Sequence, residues 1–138
     1  MRNLEQIRSK NALTAAEKGF HGKNDGDIIK KIPAMIKQSG FLGALAYAIE
    51  DESKTKKNES VRTSGYAEAF KAILQHLQNR DIGLCPVNLQ ELRQFAEWLC
   101  DDEQNSIVLR TITAEAMAYM NVLRRYANLG ESHANDNK

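Results

Sequence analysis

Residues 110–127 read RTITAEAMAYMNVLRRYA, and this stretch decides the fold. Ile112, Ala116, Tyr119, Leu123 and Tyr126 recur every three or four positions, the spacing of one helix face. Met117, Ala118, Met120 and Val122 fill most of the remaining circumference. A helix that is apolar nearly all round is buried nearly all round. The expected helix over 104–129 is therefore long, largely buried and the central post of an all-α bundle. Gly130 is its expected end, and 131–138 is expected to be a disordered tail.

Upstream, the same helical period repeats. Leu89, Leu92, Phe95, Ala96 and Leu99 form one face, with Asn88 as expected N-cap and Glu91 three residues on. Phe70, Ile73, Leu74 and Leu77 predict a helix over 66–78, and the polar stretch 51–60 predicts a loop. Two helices precede that loop, one from Asp25 or Asp27 to Gln38 and one over 42–50, with Gly40 between them as a C-terminal signal. Pro33 predicts a kink or short break inside the first of these. The earliest helix covers 4–16 and is ended by Gly19 and the 22–26 segment. The sum is a compact bundle of about six helices, a single domain over 1–130.

Composition agrees with one helical domain. The chain has 138 residues, enough for one core and too few for two. With 42% hydrophobic residues it can bury that core, and 2 Pro and 8 Gly are too few for a loop-rich sandwich. Two Cys cannot make a disulfide scaffold. No charged-then-apolar leader opens the chain, and the longest apolar run, near Phe41, is too short to cross a bilayer. The expectation is a cytoplasmic protein without membrane contact.

A net charge of +1 hides a split along the chain. Residues 1–37 hold eight basic and four acidic residues, a net of +4. Residues 81–105 hold one basic and six acidic residues, a net of −5, with Asp101, Asp102 and Glu103 consecutive. Such a distribution suits an anionic partner or acidic-to-basic packing of identical subunits. A mixed, solvated surface explains it equally well.

Catalytic chemistry has no visible foothold. His21, His76 and His133 include no i, i+4 pair, and Cys85 and Cys100 have no second pair, so no metal or other cofactor is expected. No glycine-rich phosphate loop is present, and Ser39 and Ser106 lack the setting of an activated nucleophile. Glu50, Asp51 and Glu52 sit beside a lysine-rich segment, where solvation explains them.

The basic residues say more. Lys30 and Lys37 are seven apart, about 20° from alignment on a helix, and Lys23 continues the line. Ile28, Ile32 and Met35 fall on the far side. Arg110 and Arg124 are fourteen apart and share a face, with Arg125 one step round. Such rails can hold a nucleic-acid backbone without reading its sequence. The plain alternatives are that the lysines keep a helix soluble and that Arg110 pairs with an internal acid. The aromatic residues fall at core-like helical spacing, with no aromatic strand of the kind that stacks bases.

Three stretches resemble a known family, the small subunit of the type III-B CRISPR effector, the Cmr complex. Residues 28–47, IIKKIPAMIKQSGFLGALAY, are similar to its KKLPALI, NGL and LAF pattern. Residues 110–127 are similar to its ending, TAEAL followed by LNWL and a basic RFA segment. Residues 92–99, with Trp98, resemble its LLEWL segment. Phe41 stands at the Leu of NGL, and Val122 where the family usually has Trp. The resemblance implies an all-helical, non-catalytic subunit with several copies stacked as the inner filament of a ribonucleoprotein. Its implied partners are the other Cmr subunits, the guide crRNA, the target RNA and further copies of itself. It places the RNA backbone against Lys30, Lys31, Lys37, Arg124 and Arg125, with Arg8 as a further candidate. Two other classes remain: a helical protein–protein adaptor whose basic faces dock acidic subunits, and a small helical enzyme.

Overall fold

The computed structural model describes residues 3–18, 27–57, 65–101 and 106–136, and of 18, 27–28, 55–57 and 127–136 the backbone alone. Five helices follow in order: α1 (Leu4–Lys18), α2 (Asp27–Lys57), α3 (Tyr66–Gln78), α4 (Leu92–Leu99) and α5 (Ser106–Asp136). No strand occurs among the described residues. The all-α class is as expected. Five helices replace about six because two expected helices are the two arms of α2.

The arms meet at Gly40, where φ is 78° and ψ is 165°. That region is open in practice to glycine alone, since a Cβ would crowd the backbone. No break forms at Pro33: the helix runs through it, and the non-helical dihedrals of α2 fall at Gly40. Pro33 removes one backbone bond. Burial of Ile29, Ile32 and Ile36 in the same arm offsets that loss.

The second arm runs to Lys57, through residues 51–57 of the segment expected as loop; 58–60 lie outside the described residues. DESKTKK contains no Gly or Pro, and Glu and Lys are good helix formers. Lys54 also reaches back to Glu50 at 3.3 Å, the i, i+4 pair that supports a solvated helix. Glu52 pairs with Lys71 on α3, which ties the end of α2 to the bundle. Ser53 and Lys54 are exposed, while Asp51 and Glu52 are half-buried, so the polar residues belong to a helix that lies partly against the bundle.

α3 occupies the range the periodicity predicts, and it is the central post. Tyr66, Ala67, Ala69, Phe70, Ala72, Ile73, Leu74, His76 and Leu77 are buried, and α3 packs on all four other helices. The apolar pattern puts α5 in that place, but α5 is half exposed. Ile112, Glu115, Ala116, Tyr119, Met120 and Leu123 face inward, while Ile107, Arg110, Ala114, Asn121, Arg124 and Arg125 face out. Alanine and threonine on the outer face make its composition look more buried than it is. α5 also continues through Gly130 to Asp136 instead of ending there. One glycine costs a helix about 1 kcal/mol and does not by itself stop it.

The core gathers around Phe41, whose ring meets Phe70 and Phe95 edge-on at 5.7 and 5.8 Å. α4 starts three residues later than Asn88 predicts. Glu91 is its N-cap, and the Gln94 side-chain oxygen accepts the Glu91 backbone N–H at 3.0 Å. Gln78 pins the preceding segment by donating to the Pro86 and Leu89 carbonyls at 2.9 and 2.6 Å. α1 opens on a reciprocal pair: Gln6 N–H donates to the Asn3 side chain and Asn3 N–H to the Gln6 side chain, both at 2.9 Å. Among the described residues no helix is long and apolar enough to cross a membrane.

Candidate nucleic-acid interface

The first arm of α2 is amphipathic by construction. Ile29, Ile32 and Ile36 lie in the core, which turns Lys30, Lys31 and Lys37 outward, all three exposed. Lys30 and Lys37 stand on one line seven residues apart, with Lys31 beside them. Lys23, which would extend the line, lies outside the described residues, as do His21, Asp102 and Glu103.

On α5, burial of Tyr119, Met120 and Leu123 likewise turns Arg124 and Arg125 out. Arg124 donates to the Asn121 side-chain oxygen at 3.3 Å. Arg110 is exposed nearer the start of the same helix. Among the described residues, none of Lys30, Lys31, Lys37, Arg110, Arg124 and Arg125 enters an ion pair. All six are exposed to solvent. The lysines and the arginines ride on different helices, and no hydrogen bond or ion pair among the described residues links the two groups.

Arg8 is placed differently. Its Nε and Nη2 donate to the two Glu115 carboxylate oxygens, each at 2.7 Å. The fork that could grip a phosphate grips an internal carboxylate instead. Glu115 is only 9% exposed and also accepts a bond from His76 Nε2 at 2.9 Å. His76 is 1% exposed, and its ring lies flat on Tyr119, with centroids 4.1 Å apart and planes 6° from parallel. Asn11 bonds His76 Nδ1 at 2.9 Å, and the Tyr119 hydroxyl donates to the Asn11 carbonyl at 3.4 Å.

Burial pushes His76 below its ordinary pKa of 6.5, against the pull of Glu115, so the ring is neutral at neutral pH. Burial pushes the Glu115 carboxyl up, but the bonds from Arg8 and His76 outweigh it and hold the carboxyl below its ordinary value. The Glu115 bond raises Arg8. The cluster is thus a fixed Arg+/Glu− pair with a neutral His.

A small cavity of about 80 Å³ adjoins this cluster, lined by Asn11, Thr14, Gln75, His76 and Tyr119 among others. Both His76 nitrogens are already engaged, so the ring offers no free base to that space. No group of three or more His, Cys, Asp or Glu suited to a metal occurs among the described residues. Cys85 is buried, and burial pushes its thiol up to about 12, while Cys100 is exposed just past α4.

Glu115 is the functional-looking residue that the charge and motif arguments pass over. Its signal is local: 115 lies three residues after Ile112 and four before Tyr119, on the inward stripe of α5. A carboxylate on such a stripe needs an internal cation. The identity of that cation, 107 residues away, has no local trace.

The family model described as CRISPR-associated protein (Cas_Cmr5) matches residues 4–129. No curated protein and no solved structure matches the chain.

Proposed function

Because the chain belongs to the Cas_Cmr5 family of CRISPR-associated proteins, and so is a small subunit of the type III-B Cmr effector complex, we propose that it is a non-catalytic, cytoplasmic helical domain that holds RNA backbone within that complex. In this reading copies stack along the paired crRNA and target RNA. Base pairing reads the sequence, and the protein supplies geometry and charge. Lys30, Lys31, Lys37, Arg124 and Arg125 face the phosphates. Arg8 serves the internal cluster.

The observation that carries the reading is the state of those five cations. Each is exposed, and none is neutralised by an acid among the described residues. The helices beneath them are fixed by core residues, so the charges are held on a firm surface. Arg forks suit phosphate oxygens and Lys supplies point charge.

The test is RNA retention by the reconstituted complex. With Lys30, Lys31, Lys37, Arg124 and Arg125 all changed to Gln, retention should fall and its salt dependence should flatten. The log–log slope should drop by roughly 0.7 to 0.9 for each phosphate no longer neutralised. Unchanged retention, with assembly intact, would favour an adaptor that touches only protein.

A further inference from the structure

The polar groups around His76 form one directional chain. Asp81 backbone N–H donates to Asn79 Oδ1 at 2.9 Å. A backbone N–H can only donate, so the Asn79 oxygen must face it and the Asn79 nitrogen must face away. That nitrogen donates to Asn11 Oδ1 at 3.3 Å. The Asn11 nitrogen is then left to donate to His76 Nδ1 at 2.9 Å. Nδ1 must be the bare acceptor, so the ring proton sits on Nε2 and is donated to Glu115 at 2.9 Å. Arg8 closes the far end on the same carboxylate. One amide proton at Asp81 therefore sets the orientation of two asparagines and the tautomer of a buried histidine.

α1 packs most closely on α5 and only lightly on α3, and this chain is what ties it to α3. Ile7 and Ala12 are the buried apolar residues of α1, while Leu4 and Leu13 are about half exposed. By contrast α3 buries eight apolar side chains. Toward α3 apolar contact anchors α1 weakly, and Asn11 supplies the polar bond there, while Arg8 bonds α5. We infer that the chain from Asp81 to His76 is a proton-gated latch between α1 and α3, closed while His76 is neutral and opened when Nδ1 takes a proton, with the Arg8–Glu115 fork holding α1 on α5 throughout.

Protonation removes the acceptor that the Asn11 nitrogen uses and sets two donors against each other. Rotating Asn11 does not relieve this, because its nitrogen would then face the Asn79 nitrogen, and rotating Asn79 would face a nitrogen to the Asp81 N–H. The charged groups that act on His76 are Arg8 from α1, which opposes its protonation, and Glu115 from α5, which favours it. Tyr119 from α5 covers the ring face. No charged group of α2, α4 or the 79–91 segment contributes among the described residues. The Glu115 bond is kept by either form of His76, so the Asn11 contact is the one that a proton breaks.

Amide hydrogen exchange on the whole chain tests this, compared at about pH 8 and at the lower pH where nitrogen NMR shows the His76 ring doubly protonated, and corrected for intrinsic exchange. The latch predicts that protection in α1 drops about tenfold or more while α3 keeps its own. The His76 ring should show the Nε2-protonated tautomer by nitrogen NMR at the higher pH. Asn11→Asp puts an acceptor opposite Nδ1, so in that variant His76 should titrate higher and α1 should stay protected at the lower pH. A merely structural Asn11 would not reverse the pH response. Equal loss of protection in α1 and α3, or an Nδ1-protonated ring at the higher pH, overturns the proposal in the wild-type chain whether or not the variant folds.

Discussion

The Arg8 guanidinium holds the Glu115 carboxylate by two hydrogen bonds of 2.7 Å across 107 residues of sequence. This fork joins the first helix to the last and provides the negative charge against which His76 is set. It also separates Arg8 from the other candidate basic residues, which are exposed and join no ion pair among the described residues.

Removing the carboxylate should cost the fold more than removing a surface charge. Glu115→Ala leaves the Arg8 fork and His76 Nε2–H without their acceptor. Breaking a fully buried pair costs about 3–5 kcal/mol. The Arg8 side chain is 24% exposed and water can partly replace Glu115, so the expected loss is about 2 kcal/mol. A urea midpoint, read with its slope, measures it.

Stability should fall in two stages on acidification. Both His76 and Glu115 are held below their ordinary values of 6.5 and 4.5. In each case the unfolded chain takes the proton first as pH drops, so unfolding is favoured. The His76 contribution is complete above its ordinary value and is lost below it. The Glu115 contribution is complete above its own ordinary value and is lost below that, through its lowered folded value. Denaturation midpoints from neutral pH downward should show the sequence. A rise in stability between neutral pH and the carboxylate range would contradict it.

Gly40→Ala should destabilise by about 1–3 kcal/mol. A Cβ there meets nothing within 4 Å beyond its own stretch of chain, so the cost is strain in the local backbone and not a tertiary clash. Gly43→Ala makes the contrasting case, because its Cβ would fall 2.9 Å from the Ser39 Cβ. Thermal melts of the two variants separate backbone strain from crowding.

Phe41→Ala should cost about 3–5 kcal/mol. Its ring is 3% exposed and is the shared neighbour of Phe70 and Phe95. The double variant with Phe95→Ala should cost less than the sum of the two single changes, which equilibrium unfolding can measure.

Arg124→Gln and Arg125→Gln should leave stability within about 0.5 kcal/mol, since both side chains are exposed and neither joins an ion pair among the described residues. A melting temperature equal to the parent's would make these variants sound probes of RNA binding.

The helical class, the range of α3 and the break at Gly40 are legible in the sequence because each has a local cause: an apolar period, or a glycine at a helix end. The extension of α2 to Lys57 is not, because polar character suggests a loop while helix propensity and the Glu50–Lys54 pair favour helix. The Asn88 cap fails for a similar reason. Two acceptors compete within four residues, and the tertiary bonds of Gln78 to Pro86 and Leu89 hold that segment out of the helix. The outward lysines and arginines follow from helical arithmetic. The Arg8–Glu115–His76 cluster does not, since its members share no local pattern and meet only when α1, α3 and α5 pack.

The two cysteines differ in reach: Cys85 is enclosed with a thiol that resists ionisation, and Cys100 is open to solvent at the end of α4. Maleimide dyes attack the thiolate of an accessible sulfur, so the native chain will accept a single fluorophore, at Cys100, with no engineering. A mixture of donor- and acceptor-labelled chains in the reconstituted complex then reports whether two copies come within transfer distance, which tests the proposed stacking.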